Sequence, residues 1–138
     1  MKKISMFTIL LVLVFFANGQ TFQDKQEVIQ KSIDLDKLQP YLHAEEIYGK
    51  KSLIIFNDGV VSDEMLLTKF NEPVQFMTAE TLFFYDFEAY LDFEKFEISE
   101  DTAEVFFLYD IEGVSVNVSF EKVKGKWKVL NSKIKKNQ

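Results

Sequence analysis

Residues 103–129 read AEVFFLYDIEGVSVNVSFEKVKGKWKV, and their pattern decides the fold. Ala103, Val105, Phe107 and Tyr109 occupy every second position, and Val114, Val116, Val118 and Phe120 repeat the pattern after a short break. A period of two puts each set on one face of a strand. The residues between them include Glu104, Ser115, Asn117 and Ser119, so the opposite face of this pair meets water. Phe106 and Leu108 depart from that rule and fit a place under a helix. Trp127 and Val129 begin a further strand that runs towards Ile134. The separators are Ser99-Glu100-Asp101, Asp110-Ile111-Glu112-Gly113 and Val123-Lys124-Gly125-Lys126. Separators this short predict an antiparallel meander.

Upstream, Thr81–Ile98 carries two periods at once. Phe83, Tyr85, Phe87, Ala89, Leu91 and Phe93 alternate as in a strand, whereas Phe83, Phe87, Tyr90 and Leu91 also form a helical face. Phe96 and Ile98 fall on the other parity. The reading that reconciles these is a short helix near Ala79–Phe84, then a strand from about Phe87 to Ile98 with a bulge near Lys95. Further back the chain is helical in character. Asp24 is placed to cap a helix ending near Leu35, with Val28, Ile29, Ser32, Ile33 and Leu35 as its apolar stripe. A second helix is expected from Pro40 to Tyr48, stopped by Gly49. Leu53–Phe56 reads as a short buried strand, Asn57-Asp58-Gly59 as a turn, and Val74–Met77 as another short strand. Ser62 before Asp63 and Glu64 looks like a helix start, with Met65, Leu66 and Phe70 as apolar members. The expected architecture is therefore α+β. N-terminal helices pack on a curled antiparallel β-meander of about four main strands, with one or two additional short strands.

Asp101-Thr102-Ala103-Glu104-Val105 and Gly125-Lys126-Trp127-Lys128-Val129, set in such a meander, resemble the strands of NTF2-like (cystatin-like) small domains. The likeness covers roughly residues 87–134. It implies a conical sheet wrapped on a long helix with a cavity between them. Members of that family include small-molecule isomerases, hydrolases and pure binding or dimerisation modules, so the resemblance names no single function. The strand at Leu53–Phe56, ahead of the third helix, departs from the pattern, and a separate group of small exported bacterial proteins is the other placement.

The chain has 138 residues, of which 47% are hydrophobic, 28% charged and 15% aromatic. That is one domain with enough apolar content to fold. There is no Cys, which excludes a disulfide scaffold, a thiol nucleophile and a Cys-ligated metal. There is no Arg and one His, so neither a guanidinium clamp nor a two-His metal centre is available. No cofactor and no metal is expected. The net charge of −6 argues against nucleic acid as a partner. Lys2 and Lys3, the apolar run Ile4–Ala17 and the small residues of Ala17-Asn18-Gly19 have the layout of a secretory signal peptide over residues 1–19. The run is shorter than the ~20 residues that span a bilayer. A chain starting at Gln20 would be one domain over 20–138, compact over about 22–135, periplasmic or secreted, and not a lipoprotein, because no Cys follows the apolar run.

Candidate chemistry is sparse. His43 is the one imidazole, with Glu45 and Glu46 beside it in sequence, yet successive residues of a helix do not face each other. Twelve aromatics fall within residues 83–127; they build the core, and Tyr85, Tyr90, Tyr109 and Trp127, with His43, are the candidates to line a ligand cavity. Asp86, Glu88, Asp92 and Glu94 share a parity, but a strand spreads alternate residues nearly 7 Å apart, too far to converge on a cation, at ~3.3 Å per residue. Charge is sharply divided. Residues 20–121 hold 7 Lys and 22 acidic residues, a balance of −15, and residues 122–138 hold 7 Lys and no acid, a balance of +7. Lys124, Lys126, Lys128, Lys135 and Lys136 are the candidate basic surface. It would pair either with the acidic part of its own chain or with an anionic cell-envelope component or protein partner; a homodimer stays open. No catalytic residue is assigned. The expected function is a non-catalytic binding or interaction module, the alternative being a small-ligand carrier or enzyme with an apolar cavity between helix and sheet.

Overall fold

The computed structural model describes residues 21–42 and 52–137. The leader, His43 and most of the helix expected up to Tyr48 lie outside the described residues. Helix α1 (Phe22–Ile33) starts at Thr21, not Asp24. Thr21 Oγ1 accepts the Asp24 N–H and Asp24 Oδ2 accepts the Thr21 N–H, a reciprocal capping box that puts Asp24 three residues inside the cap. Val28, Ile29, Ser32 and Ile33 form the buried stripe, and the Ser32 hydroxyl is satisfied by the Val28 carbonyl at 2.8 Å. A 3-10 turn (Asp36–Tyr41) follows, with Pro40 inside it. Gln39 Nε2 donates to the Ile33 and Leu35 carbonyls and so completes the end of α1.

Strand β1 (Ile54–Phe56) lies where the buried run predicts. The helix expected after Ser62 is absent. Ser62 closes a single turn through Glu64 and Met65, and the chain then runs extended into β2 (Thr68–Lys69) and β3 (Glu72–Pro73). The reason is the polar side of α1. Gln26 Oε1 accepts the Leu66 N–H, and Gln30 both accepts the Thr68 N–H and donates to the Thr68 carbonyl. These bonds fix the 66–68 backbone in an extended form, with Met65 and Leu67 buried and Leu66 turned out. Phe70 and Asn71 both have positive φ, as a tight two-residue hairpin turn requires.

Strand β4 (Gln75–Met77) pairs in parallel with β1. Helix α2 (Ala79–Phe84) is capped by Thr78 and matches the expected span. Strand β5 begins at Asp92, not Phe87, and runs to Ile98. Its register shifts between Phe93 and Lys95, so Glu94 is the bulged residue. Strands β6 (Thr102–Tyr109), β7 (Val114–Val123) and β8 (Lys126–Lys136) complete an antiparallel sheet in the order β5-β6-β7-β8. The molecule is α+β, with this sheet as its largest element and four short strands in two small sheets, more than the one or two expected.

The register explains the core. Phe93 opposes Phe107, Phe107 opposes Val116, Val105 opposes Val118, and Ala103 opposes Phe120. All of these are buried, in one cluster with Val28, Ile29 and Ile33 of α1. The opposite face carries Lys95, Phe106, Asn117 and Lys133 in register, and Glu97, Glu104 and Ser119 in the next row. Phe106 and Leu108 are half-buried there. Strand β8 shifts register between Ser119 and Phe120, leaving Leu130 as an extra residue. Bulges therefore occur in both outer strands of the sheet. No described helix is long and apolar enough to cross a membrane.

Candidate functional site

The core side of the β7–β8 hairpin is closed by one carboxylate. Asp24 Oδ1 accepts both Lys122 Nζ and Trp127 Nε1 at 3.0 Å. Burial alone would raise the Asp24 pKa. Donation from the Thr21 N–H, Lys122, Trp127 and the Thr21 hydroxyl outweighs it and lowers the value to about 2. Lys122 also lies 5.7 Å from the Trp127 ring centre. Trp127 is thus a buried anchor tying the first helix to the last strand.

The other expected ligand residues do not join it. Tyr109 is buried at the far end of β6, opposite Val114, while Trp127 pairs with Lys122 at the other end of the sheet. Tyr90 is half-buried and meets Phe56 edge-on, 5.8 Å between ring centres. Tyr85 is exposed, and His43 lies outside the described residues. Open grooves flank the sheet. One, of about 540 Å³, is bordered by Glu97, Thr102, Glu104, Ser119 and Leu130. Another, of about 490 Å³, lies between Lys31, Asp34 and Lys37 and the β8 residues Val129 and Ser132. Neither is lined by Tyr85, Tyr90, Tyr109 or Trp127.

The expected acidic stripe is broken, because Asp86 and Glu88 precede the strand and Glu94 is bulged. A different set forms around Asp92. Burial pushes its carboxyl up to about 6, and the charges of Glu94, Asp58 and Asp110 add to that. Its Oδ1 is buried without a hydrogen-bond partner. Asp58 and Asp110 come from the turn after β1 and the turn after β6, a proximity that no local spacing reveals. Among the described residues, no group of three or more His, Cys, Asp or Glu is arranged to hold a metal ion.

What the sequence placed inside and the structure places outside is the aromatic run at the end of α2. Phe83 is 90% exposed, Phe84 79% and Tyr85 63%. Only Leu82 of this helix is buried. Asp86 takes a left-handed conformation, φ 55°, and turns the chain away before β5. Phe84 and Tyr85 pack edge to face at 5.0 Å, and Tyr85 leans on Phe87 at 5.9 Å, so these rings form one knob, with exposed Phe83 beside Phe84 in the helix. Glu80, Asp86 and Glu88 are exposed around it.

The basic segment lies mainly on β8, the edge of the sheet. Among the described residues, Lys122 is the member of this segment that forms an ion pair, with Asp24. Lys124 sits at the hairpin turn with φ 54°. Lys128 stands opposite Glu121 and Lys135 opposite Ser115 in the register. Lys136 lies 5.8 Å from the Tyr41 ring centre. Lys126, Lys128, Lys133 and Lys135 are exposed, as are the neighbouring apolar residues Val129 (41%) and Leu130 (66%). Comparison with family models, with curated proteins and with solved structures finds no match to this chain.

Proposed function

We propose that this chain is an exported, non-catalytic interaction module, released from a leader over residues 1–19 to work in the periplasm or outside the cell. Its meander curls in the manner of NTF2-like domains, helped by the bulges at Glu94 and Leu130, with α1 against its inner face. The observation that carries the reading is the exposed aromatic knob Phe83-Phe84-Tyr85. Aromatic side chains carry the largest apolar surface of any residues, and leaving three neighbours in water costs solubility without adding to the core. Such a cluster rimmed by charge marks a contact surface. The unpaired lysines of β8 supply a second surface of opposite sign.

Site-specific photo-crosslinking tests it. A photoreactive phenylalanine at position 84, another at position 128, and a control at the exposed turn residue Glu100 are expressed from the full chain in an exporting host. Crosslinked products from positions 84 and 128 but not 100 are expected. Equal labelling at all three, or none at any, refutes the reading. Mass measurement of the exported product, expected to begin at Gln20, tests the leader.

A further inference from the structure

We infer that the partner of these two surfaces is a second copy of the chain: the aromatic knob of one copy docks on strand β8 of another, reciprocally, in a twofold dimer. The inference rests on the interaction-module reading and specifies its partner. The knob combines three exposed aromatics with Glu80, Asp86 and Glu88, and no Lys occurs from residue 70 to 94. The outward face of β8 combines exposed Leu130 with Lys126, Lys128, Lys133 and Lys135, and no acid occurs after Glu121. Each surface carries an apolar centre, and their charges are opposite. That is the arrangement of an interface with an apolar core and a charged rim.

The chemistry already recurs within the chain. Lys122 lies over Trp127 and Lys136 over Tyr41, so lysines of this hairpin pair with ring faces where one is in reach. The knob offers rings to the lysines that have none. Area sets the symmetry. At ~200 Å² per aromatic side chain, the exposed parts of Phe83, Phe84 and Tyr85 present roughly 450 Å². A single knob-to-strand contact buries about twice that over both partners, short of the ~1,200 Å² at which stable interfaces begin. Two reciprocal contacts reach roughly 1,800 Å², within the standard range. Pairing of two β8 edges is disfavoured, because it would bring two rows of lysines together.

The test is sedimentation velocity of the purified chain from micromolar to millimolar concentration, at ~0.1 M and ~1 M salt, where the screening length falls from ~10 Å to ~3 Å. A concentration-dependent dimer, weakened by salt, is expected. Two charge-reversed chains are compared: E80K/D86K/E88K at the knob and K128E/K133E/K135E on the strand. Each alone is expected to dimerise at least about tenfold more weakly, since exposed ion pairs of up to ~1 kcal/mol each are replaced by repulsion. An equimolar mixture of the two restores the dimer, because each reversed surface then meets its complement. F83S/F84S/Y85S should also abolish it. Thermal unfolding of each variant is checked against the parent. A monomer at all concentrations, a dimer that survives either the reversals or the triple serine change, or a mixture that fails to recover overturns the proposal. Crosslinking from position 84 to a different polypeptide, with the chain monomeric, overturns it while leaving the interaction module standing.

Discussion

Replacing Asp92 by Asn should stabilise the protein at neutral pH, and the size of the gain follows from where the carboxyl sits. Its pKa rises from 3.8 to about 6 because burial disfavours the charged form and Glu94, Asp58 and Asp110 repel it. The folded state therefore holds the proton more tightly than the unfolded chain between those two values. Stability falls as pH rises through that window, and above pH 6 the whole cost of ionising Asp92 is carried by the folded state. At about 1.4 kcal/mol per pH unit the upper bound is about 3 kcal/mol. Solvent reaches the half-buried side chain, which reduces the figure to about 1–2 kcal/mol. Asn has nearly the same shape, carries no charge and can donate to Glu94. Urea unfolding of parent and D92N from pH 3 to pH 8 measures it. The variant should gain stability above pH 6, and the two curves should converge below pH 4. A variant less stable at pH 7, or a gain that does not change with pH, refutes the electrostatic account.

Asp24→Ala should destabilise by about 2–4 kcal/mol at pH 7, since it leaves Lys122 and the Trp127 N–H without their acceptor. The Asp24 pKa is lowered, so its contribution is complete above pH 3.8 and disappears as pH falls through about 2, and the difference in urea midpoints between parent and variant should close there. Phe107→Ala should cost about 3–5 kcal/mol in the same assay, because Phe107 stacks on Phe93 at 4.7 Å in the centre of the sheet. Gly113→Ala should cost about 1–2 kcal/mol, since Gly113 has φ 65° and an added Cβ would lie 3.2 Å from the Asn137 carbonyl oxygen. A melting temperature unchanged in that variant would show that the turn relaxes freely.

The strands from Ala103 to Phe120 are legible because period-two alternation is a local property and one face is fully buried. The parity slip after Phe93 likewise reveals a bulge near Lys95 from spacing alone. The segment after Ser62 is misread, because its local signals favour a helix and the side chains that hold it extended, Gln26 and Gln30, lie about forty residues away. The aromatic run is misread for a related reason. Phe83 and Tyr85 carry the composition of a core, and composition does not say which side of a six-residue helix is covered. Trp127 donates to a carboxylate 103 residues earlier, a pairing that no spacing rule reveals. The division of charge is legible in the sequence, but the placement of its basic part on an edge strand, β8, with most of its lysines unpaired, is not.

The Asp24–Trp127 bond also sets an order of events. The first helix holds one end of it and the last strand holds the other, so a chain threaded through a pore with its N-terminus leading reaches the far side without the partner that fixes that helix. Until the final hairpin emerges, α1 has its Thr21 cap but no anchor, and the core cluster lacks Trp127. In a chain that emerges N-terminus first, closure is therefore the last step of folding. A chain arrested before Lys126 should stay sensitive to protease in α1, and one extended past Lys136 should become resistant in a single step.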